Sequence, residues 1–227
     1  RGPFKGNLFE ELVRASDVFG PPSCVVLRRE PITRRSLRYD PRIVIGPDWD
    51  FFIQYAEDTT FGYVDEKTCL YRVHQTNISV SVGLKKRAQY LALCREKAIK
   101  TSSFSECSLD TRIFVFYDLL VHLLTGYPDR QNEIARWDEF TQLPESERAR
   151  LYRLMASEAI VDGQHHNAIQ GWLQEASELN PSDRKNSLLR NLYKISPWLC
   201  QQFLHLRRMI SGNASRNQHP FHDLASG

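Results

Sequence analysis

Apolar and polar positions are arranged in two different ways along the chain. Residues 1–82 carry short apolar runs separated by Gly, Pro and charged punctuation, whereas from about Gly83 onward the apolar positions recur at helical spacing. Residues 7–15 begin with an Asn cap and bring Leu8, Leu12 and Val13 onto one face, which predicts a helix. Gly20-Pro21-Pro22 then breaks the chain, and residues 23–27 read as a short buried strand. Residues 28–40 read as a basic loop containing Arg28, Arg29, Arg34, Arg35 and Arg38, and residues 43–45 as a brief apolar run closed by Gly46-Pro47. After Asp48-Trp49-Asp50 the spacing of Phe51, Phe52, Tyr55 and Ala56 predicts a helix. Residues 61–64 and 69–73 read as two strands around a turn at Asp65-Glu66-Lys67.

Helices are predicted over 84–100 and 109–124, the latter ended by Gly126 and Pro128, and over 145–161 with Pro144 at the first helical position. Further helices are expected over 166–179, 183–195 and 198–210, with Pro181 and Pro197 as breakers. The tail from Gly212 is polar and expected to be disordered. Residues 149–181 resemble a tetratricopeptide-like helix pair, with Gly163 in the turn, Ala168, Ala176 and then Pro181, but no second copy follows.

Composition narrows the class. With 227 residues, 41% hydrophobic and 25% charged, the chain is an ordinary globular protein with enough material for a core. A net charge of +3 is too mild to imply nucleic acid. Five cysteines, at 24, 69, 94, 107 and 200, include no CxxC pair, so a disulfide framework and a structural zinc site are not expected, and a reducing, cytoplasmic setting fits. The longest apolar stretch, 113–124, contains Asp118 and His122 and falls short of the ~20 residues that span a bilayer. No transmembrane segment is expected, while peripheral contact with a membrane stays open. There is no initiator Met, and a fragment of a longer chain is expected. No GxSxG, HExxH, P-loop or GxGxxG occurs.

Two segments concentrate the candidate chemistry. In Gly46-Pro47-Asp48-Trp49-Asp50, two carboxylates flank a Trp at a helix start. One Asp there caps backbone N–H groups and favours the positive dipole end. A second needs a further reason, because neighbouring carboxylates repel. The other segment, Tyr71-Arg72-Val73-His74 followed by Asn77-Ile78-Ser79, ends a predicted strand.

Taken in order, Ser23 to Glu30, Tyr39-Asp40, Asp48-Trp49-Asp50 with its helix, Gly62-Tyr63-Val64-Asp65-Glu66 and Tyr71-Arg72-Val73-His74 resemble the second half of a family 2 glycosyltransferase catalytic domain. In that family E-D-W-D-L-W-L-R-L-A is followed by Y-R-x-H and N-x-S. The resemblance covers roughly residues 7–82. It implies an α/β chain: a partial GT-A mixed α/β segment over 1–82, an all-α helical region over 83–211 and a flexible tail over 212–227. It also implies inverting transfer of a sugar from a UDP- or GDP-sugar to a hydroxyl of a glycan or lipid-linked acceptor, in polysaccharide biosynthesis. Asp48 would be the general base, a role that asks for a carboxylate within reach of the acceptor hydroxyl. Trp49 would give a sugar ring an apolar platform or fill the core, Asp50 would orient the loop, cap the helix or contact the acceptor, and Arg29 would contact the acceptor. Arg72 and His74 would face the diphosphate, with His74 joining the shell of a divalent metal, Mg2+ or Mn2+. The basic loop 28–42 would lie over donor or acceptor, with most of its arginines solvated.

Three departures mark this chain. Pro47 stands where the family has an acidic residue, and Ser36-Leu37 stand where it has Gly. The nucleotide-binding half with its metal-binding Asp-x-Asp is not in residues 1–227, so the isolated chain is expected to be inactive. Two other readings compete: a tetratricopeptide-like protein-interaction module built on the helical region, and a metal-dependent hydrolase using Asp48, Asp50 and His74.

Overall fold

The computed structural model describes residues 4–67, 69–70, 82–127 and 130–212. Its contacts divide the chain into two compact units, Arg1–Glu133 and Ile134–Gly227.

The first unit contains α1 (Phe9–Arg14), α2 (Arg29–Arg34), α3 (Pro47–Ala56), α4 (Leu84–Ile99) and α5 (Leu109–Gly126). Asn7 contributes to the start of α1, its side-chain oxygen accepting the Phe9 N–H at 2.9 Å. Ser108 caps α5 by accepting the Thr111 N–H at 3.3 Å. The central packing is α4 against α5, with α1 and α3 laid on them. Ala88, Ala92, Ala98 and Ile99 of α4 meet Val115, Phe116, Leu119 and Leu123 of α5 in a dry core. Small side chains on α4 permit a close approach, and at Gly126 a Cβ would come within 3.1 Å of Gln89. A second cluster of rings joins α3 to the segments after α1 and α3: Phe19 packs edge-on against Phe52 at 5.3 Å and tilted against Phe61 at 4.7 Å.

The second unit contains single helical turns, then α6 (Glu145–Asp162), α7 (His166–Leu179), α8 (Arg184–Ile195) and α9 (Pro197–Gly212). Helices α6 and α7 are joined by the tight Gly163–His165 turn and pack along their length, burying Leu151, Met155, Ile169, Trp172, Leu173 and Ala176. Asp183 caps α8 through the N–H groups of Lys185 and Asn186, and its other oxygen pairs with buried Arg153 of α6 at 3.1 Å.

The expected α/β, GT-A-like architecture is overturned. Among the described residues 67% are helical and 1% strand, with no sheet. Residues 23–27, expected as a buried strand, form a 3-10 turn at Pro22–Cys24 and an extended stretch in which Val26 is 99% exposed. Residues 61–64 contribute only Phe61, whose N–H and C=O pair with Gly6 at 2.8 and 2.7 Å in an isolated bridge, while Tyr63 and Val64 are exposed. A strand is stable only when a neighbouring edge takes its backbone hydrogen bonds and a face of its side chains is covered. Neither condition is met by the described residues here. The expected strand 69–73 falls largely outside the described residues. Part of the basic loop is helical, as α2; Arg34 pairs with Glu30 and Asp58 and Arg35 with Glu57 and Asp58, while Arg28, Arg29, Arg34 and Arg38 stay exposed, as expected for most of the loop's arginines. Helices α4 and α5, read from the sequence as part of a C-terminal helical region, pack in the first unit with α1 and α3.

Phe116 is fully buried in the α4–α5 core. Truncation to Ala is expected to cost about 3–5 kcal/mol, read as a lowered urea midpoint for the first unit.

Candidate functional site

The start of α3 is set by Gly46, whose left-handed backbone (φ 78) turns the chain into the helix, and by Pro47 at its first position. A side chain at residue 46 would be strained by that φ and would press on Trp49 and Cys94. The turn is held from inside by Ile43 and Ile45, both buried, and the Asp50 N–H donates to the Gly46 carbonyl at 3.0 Å. Asp48, Trp49 and Asp50 therefore point in three directions from one turn of helix, and each has a different environment.

Trp49 is buried. Its indole N–H donates to the Leu12 carbonyl at 2.6 Å, and the Arg95 guanidinium lies 4.6 Å above its ring. It is a core anchor joining α3 to α1, with no face left for a sugar. Arg95 is itself buried. It bonds Asp118 of α5 at 2.7 Å and donates to the carbonyls of Val13 and Arg14 at the end of α1. Burial pushes the Asp118 carboxyl up, but the hydrogen bond from His122 and the charge of Arg95 outweigh it. The group is held well below the usual carboxylate range.

Asp50 is buried too and accepts from Lys97 at 2.6 Å and Gln54 at 2.9 Å. Lys97 also reaches Asp40 at 3.1 Å, so one ammonium lies between two carboxylates. The two are pushed apart. Burial raises the Asp50 carboxyl despite Lys97. Hydrogen bonds from Arg42, aided by Lys97, hold Asp40 well below the usual range. Asp50 is thus spent on docking α3, its buried carboxylate held by Lys97 and Gln54. The spelling Asp48-Trp49-Asp50 does not produce a pair of open metal ligands.

Asp48 remains. It is half-buried, on the first turn of α3, and its Oδ1 accepts the Trp49 N–H at 3.0 Å. Arg29 starts α2 with an exposed side chain. Arg72 and His74 lie outside the described residues. Among the described residues no group of three or more His, Cys, Asp and Glu is placed to hold a metal ion. Cys94, beside the turn with its Sγ 3.8 Å from the Gly46 carbonyl, is buried and its thiol is pushed up to about 12, which keeps it unreactive.

Sequence reasoning missed Arg95 and Lys97. The signal for Arg95 was present: it occupies the apolar stripe Ala88, Ala92, Ile99 at spacings of four, three and four. A cation in such a stripe requires a buried partner. In the second unit a shallow cleft of about 330 Å³ lies beside Leu173, Gln174, Arg190 and Tyr193. No helix among the described residues is long and apolar enough to cross a membrane. No protein-family model matches the chain, and no similar curated protein or solved structure was found.

Arg95→Met should cost about 3–5 kcal/mol in chemical denaturation, because it strands the buried Asp118 carboxylate, and Asp118→Leu in the same chain should restore part of the loss. The depressed Asp118 group has a definite sign. Its contribution is complete above the unfolded value of about 4 and is lost as pH falls below that. A stability profile against pH should therefore flatten on its acid side in Asp118→Asn.

Proposed function

We propose that this chain takes part in inverting glycosyl transfer from a nucleotide-diphosphate sugar to an acceptor hydroxyl, with Asp48 as the general base. The activity belongs to a longer cytoplasmic enzyme that supplies the nucleotide-binding half. The observation that carries the reading is the division of labour on the first turn of α3. Trp49 and Asp50 are committed to the core and to Lys97, and Asp48 alone keeps a carboxylate partly open to solvent. The resemblance of residues 7–82 places the base at that position. Ser36 adds local support: where the family pattern has Gly, this residue adopts a left-handed backbone (φ 51) that suits Gly.

In the proposed step an acceptor hydroxyl approaches Asp48. Its oxygen forms a bond to the anomeric carbon as the bond from that carbon to the diphosphate oxygen breaks, and its proton passes to the Asp48 carboxylate. The sugar is inverted and the nucleoside diphosphate leaves with the bonding electron pair. Asp48 lies on the first turn of α3 with its Oδ1 accepting the Trp49 N–H, and the step asks that this carboxylate take up the hydroxyl proton. Arg72 and His74 retain the diphosphate-facing roles that the resemblance implies.

In the enzyme that contains both halves, Asp48→Asn should lower turnover by about 10²–10⁴-fold while donor binding and the urea midpoint are unchanged. Turnover within a few-fold of the unaltered enzyme would remove Asp48 from the mechanism. The 227-residue chain alone should show weak affinity for UDP- and GDP-sugars with Mn2+ in calorimetric titration. Sub-micromolar binding would place the donor site within these residues.

A further inference from the structure

The last two helices of the second unit carry an unusual combination of charge and exposed apolar surface. Residues 184–212 contain Arg184, Lys185, Arg190, Lys194, Arg207 and Arg208 and not one Asp or Glu. On α9, Cys200 and Leu204 are buried against the unit. Trp198, Leu199, Phe203, Leu206, Met209 and Ile210 each leave 44–69% of their surface open. At helical spacing those six fall within an arc of about 140°, on the side away from Cys200 and Leu204. Arg207 lies at one edge of the arc and His205 at the other, while Arg208 falls on the side toward the unit, where it pairs with Glu158 of α6 at 2.7 Å. On α8, Leu188 and Ile195, seven positions apart and so on one face, are also exposed, with Arg184, Lys185 and Lys194 exposed on the same helix. The one acid at the start of α8, Asp183, is turned to Arg153.

We infer that α9, assisted by α8, is a docking surface for an anionic lipid membrane. The helix would lie in the plane of the headgroups with its apolar arc directed into the acyl boundary. Charge decides between occupants. A second copy of this chain would bring two cation-rich rims together. A surface with negative headgroups neutralises them, each Lys or Arg near it strengthening attachment roughly fivefold. Trp198 and the flanking cations are the residue types that settle at the boundary between headgroups and acyl chains. The sixteen residues of α9 lie flat, since the helix is too short and polar to span. This proposal is independent of Asp48.

The test is sedimentation of the full chain with vesicles of phosphatidylcholine mixed with phosphatidylglycerol, and with vesicles of phosphatidylcholine alone. The chain should sediment with the anionic vesicles, weakly with the neutral ones, and less in high salt. Leu206→Asp with Met209→Asp should reduce binding about tenfold or more, and Lys194→Glu with Arg207→Glu should reduce it to a similar degree. All four positions are exposed, so circular dichroism should be unaltered. As a second readout, brominated acyl chains should quench tryptophan emission in the unaltered chain and do so much less in Trp198→Phe. The proposal is overturned by absence of binding to the anionic vesicles, by equal binding to neutral ones, or by full binding of the Leu206/Met209 variant. It is likewise overturned if the chain is a lipid-independent dimer that the Leu206/Met209 variant dissociates, which would assign the face to a second copy. Saturable blocking of vesicle binding by the apolar groove of an acidic protein would assign it to that partner.

Discussion

The buried guanidinium of Arg95 is the interaction on which the first unit depends. It lies over the Trp49 ring, bonds Asp118 and satisfies two carbonyls at the end of α1. A short helix such as α1 ends with orphan C=O groups, which need a donor when they are taken out of water. Arg95 provides that donor from another helix, while Asp118 neutralises the charge so introduced. One side chain thereby fixes α1, α3 and α5 relative to α4. The arrangement is costly to break rather than intrinsically strong, since either charge left alone in the core would be unpaired.

Three neighbouring residues of α4 complete the support of the candidate site. Cys94 backs the Gly46 turn, Arg95 holds Trp49 and Lys97 holds Asp50. The first turn of α3 is therefore positioned by a helix distant in sequence. Asp48, the member of the triplet that makes none of these long-range contacts, inherits its position from the other two. A base on a rigid turn needs little rearrangement to meet a hydroxyl, which is the geometric part of what such a role demands.

Much of the helical layout was legible in the pattern. Helices α4 to α9 lie within a residue or two of their expected limits, because amphipathic spacing and caps such as Ser108 and Asp183 are local signals. The strands were not legible, because a run such as residues 23–27 has strand composition but becomes a strand only if another edge is brought to it. Which of the roles open to Trp49 and Asp50 each one takes was hidden for a related reason. A carboxylate beside an aromatic at a helix start looks the same on paper whether it faces a ligand or a lysine 47 positions later. The triplet was found by its composition, while the division of labour within it needed the packing.

The ammonium shared by Asp40 and Asp50 has one more implication. Because Lys97 is the cation between an acid on a loop and an acid on α3, its charge sets how closely these two segments can approach. A lysine neutralised at this place, by acetylation for example, would leave two acidic groups facing each other without the ammonium between them, and would weaken the tie between the loop and the helix start. The placement of Asp48 is in that sense governed by the chemical state of a residue that never touches it.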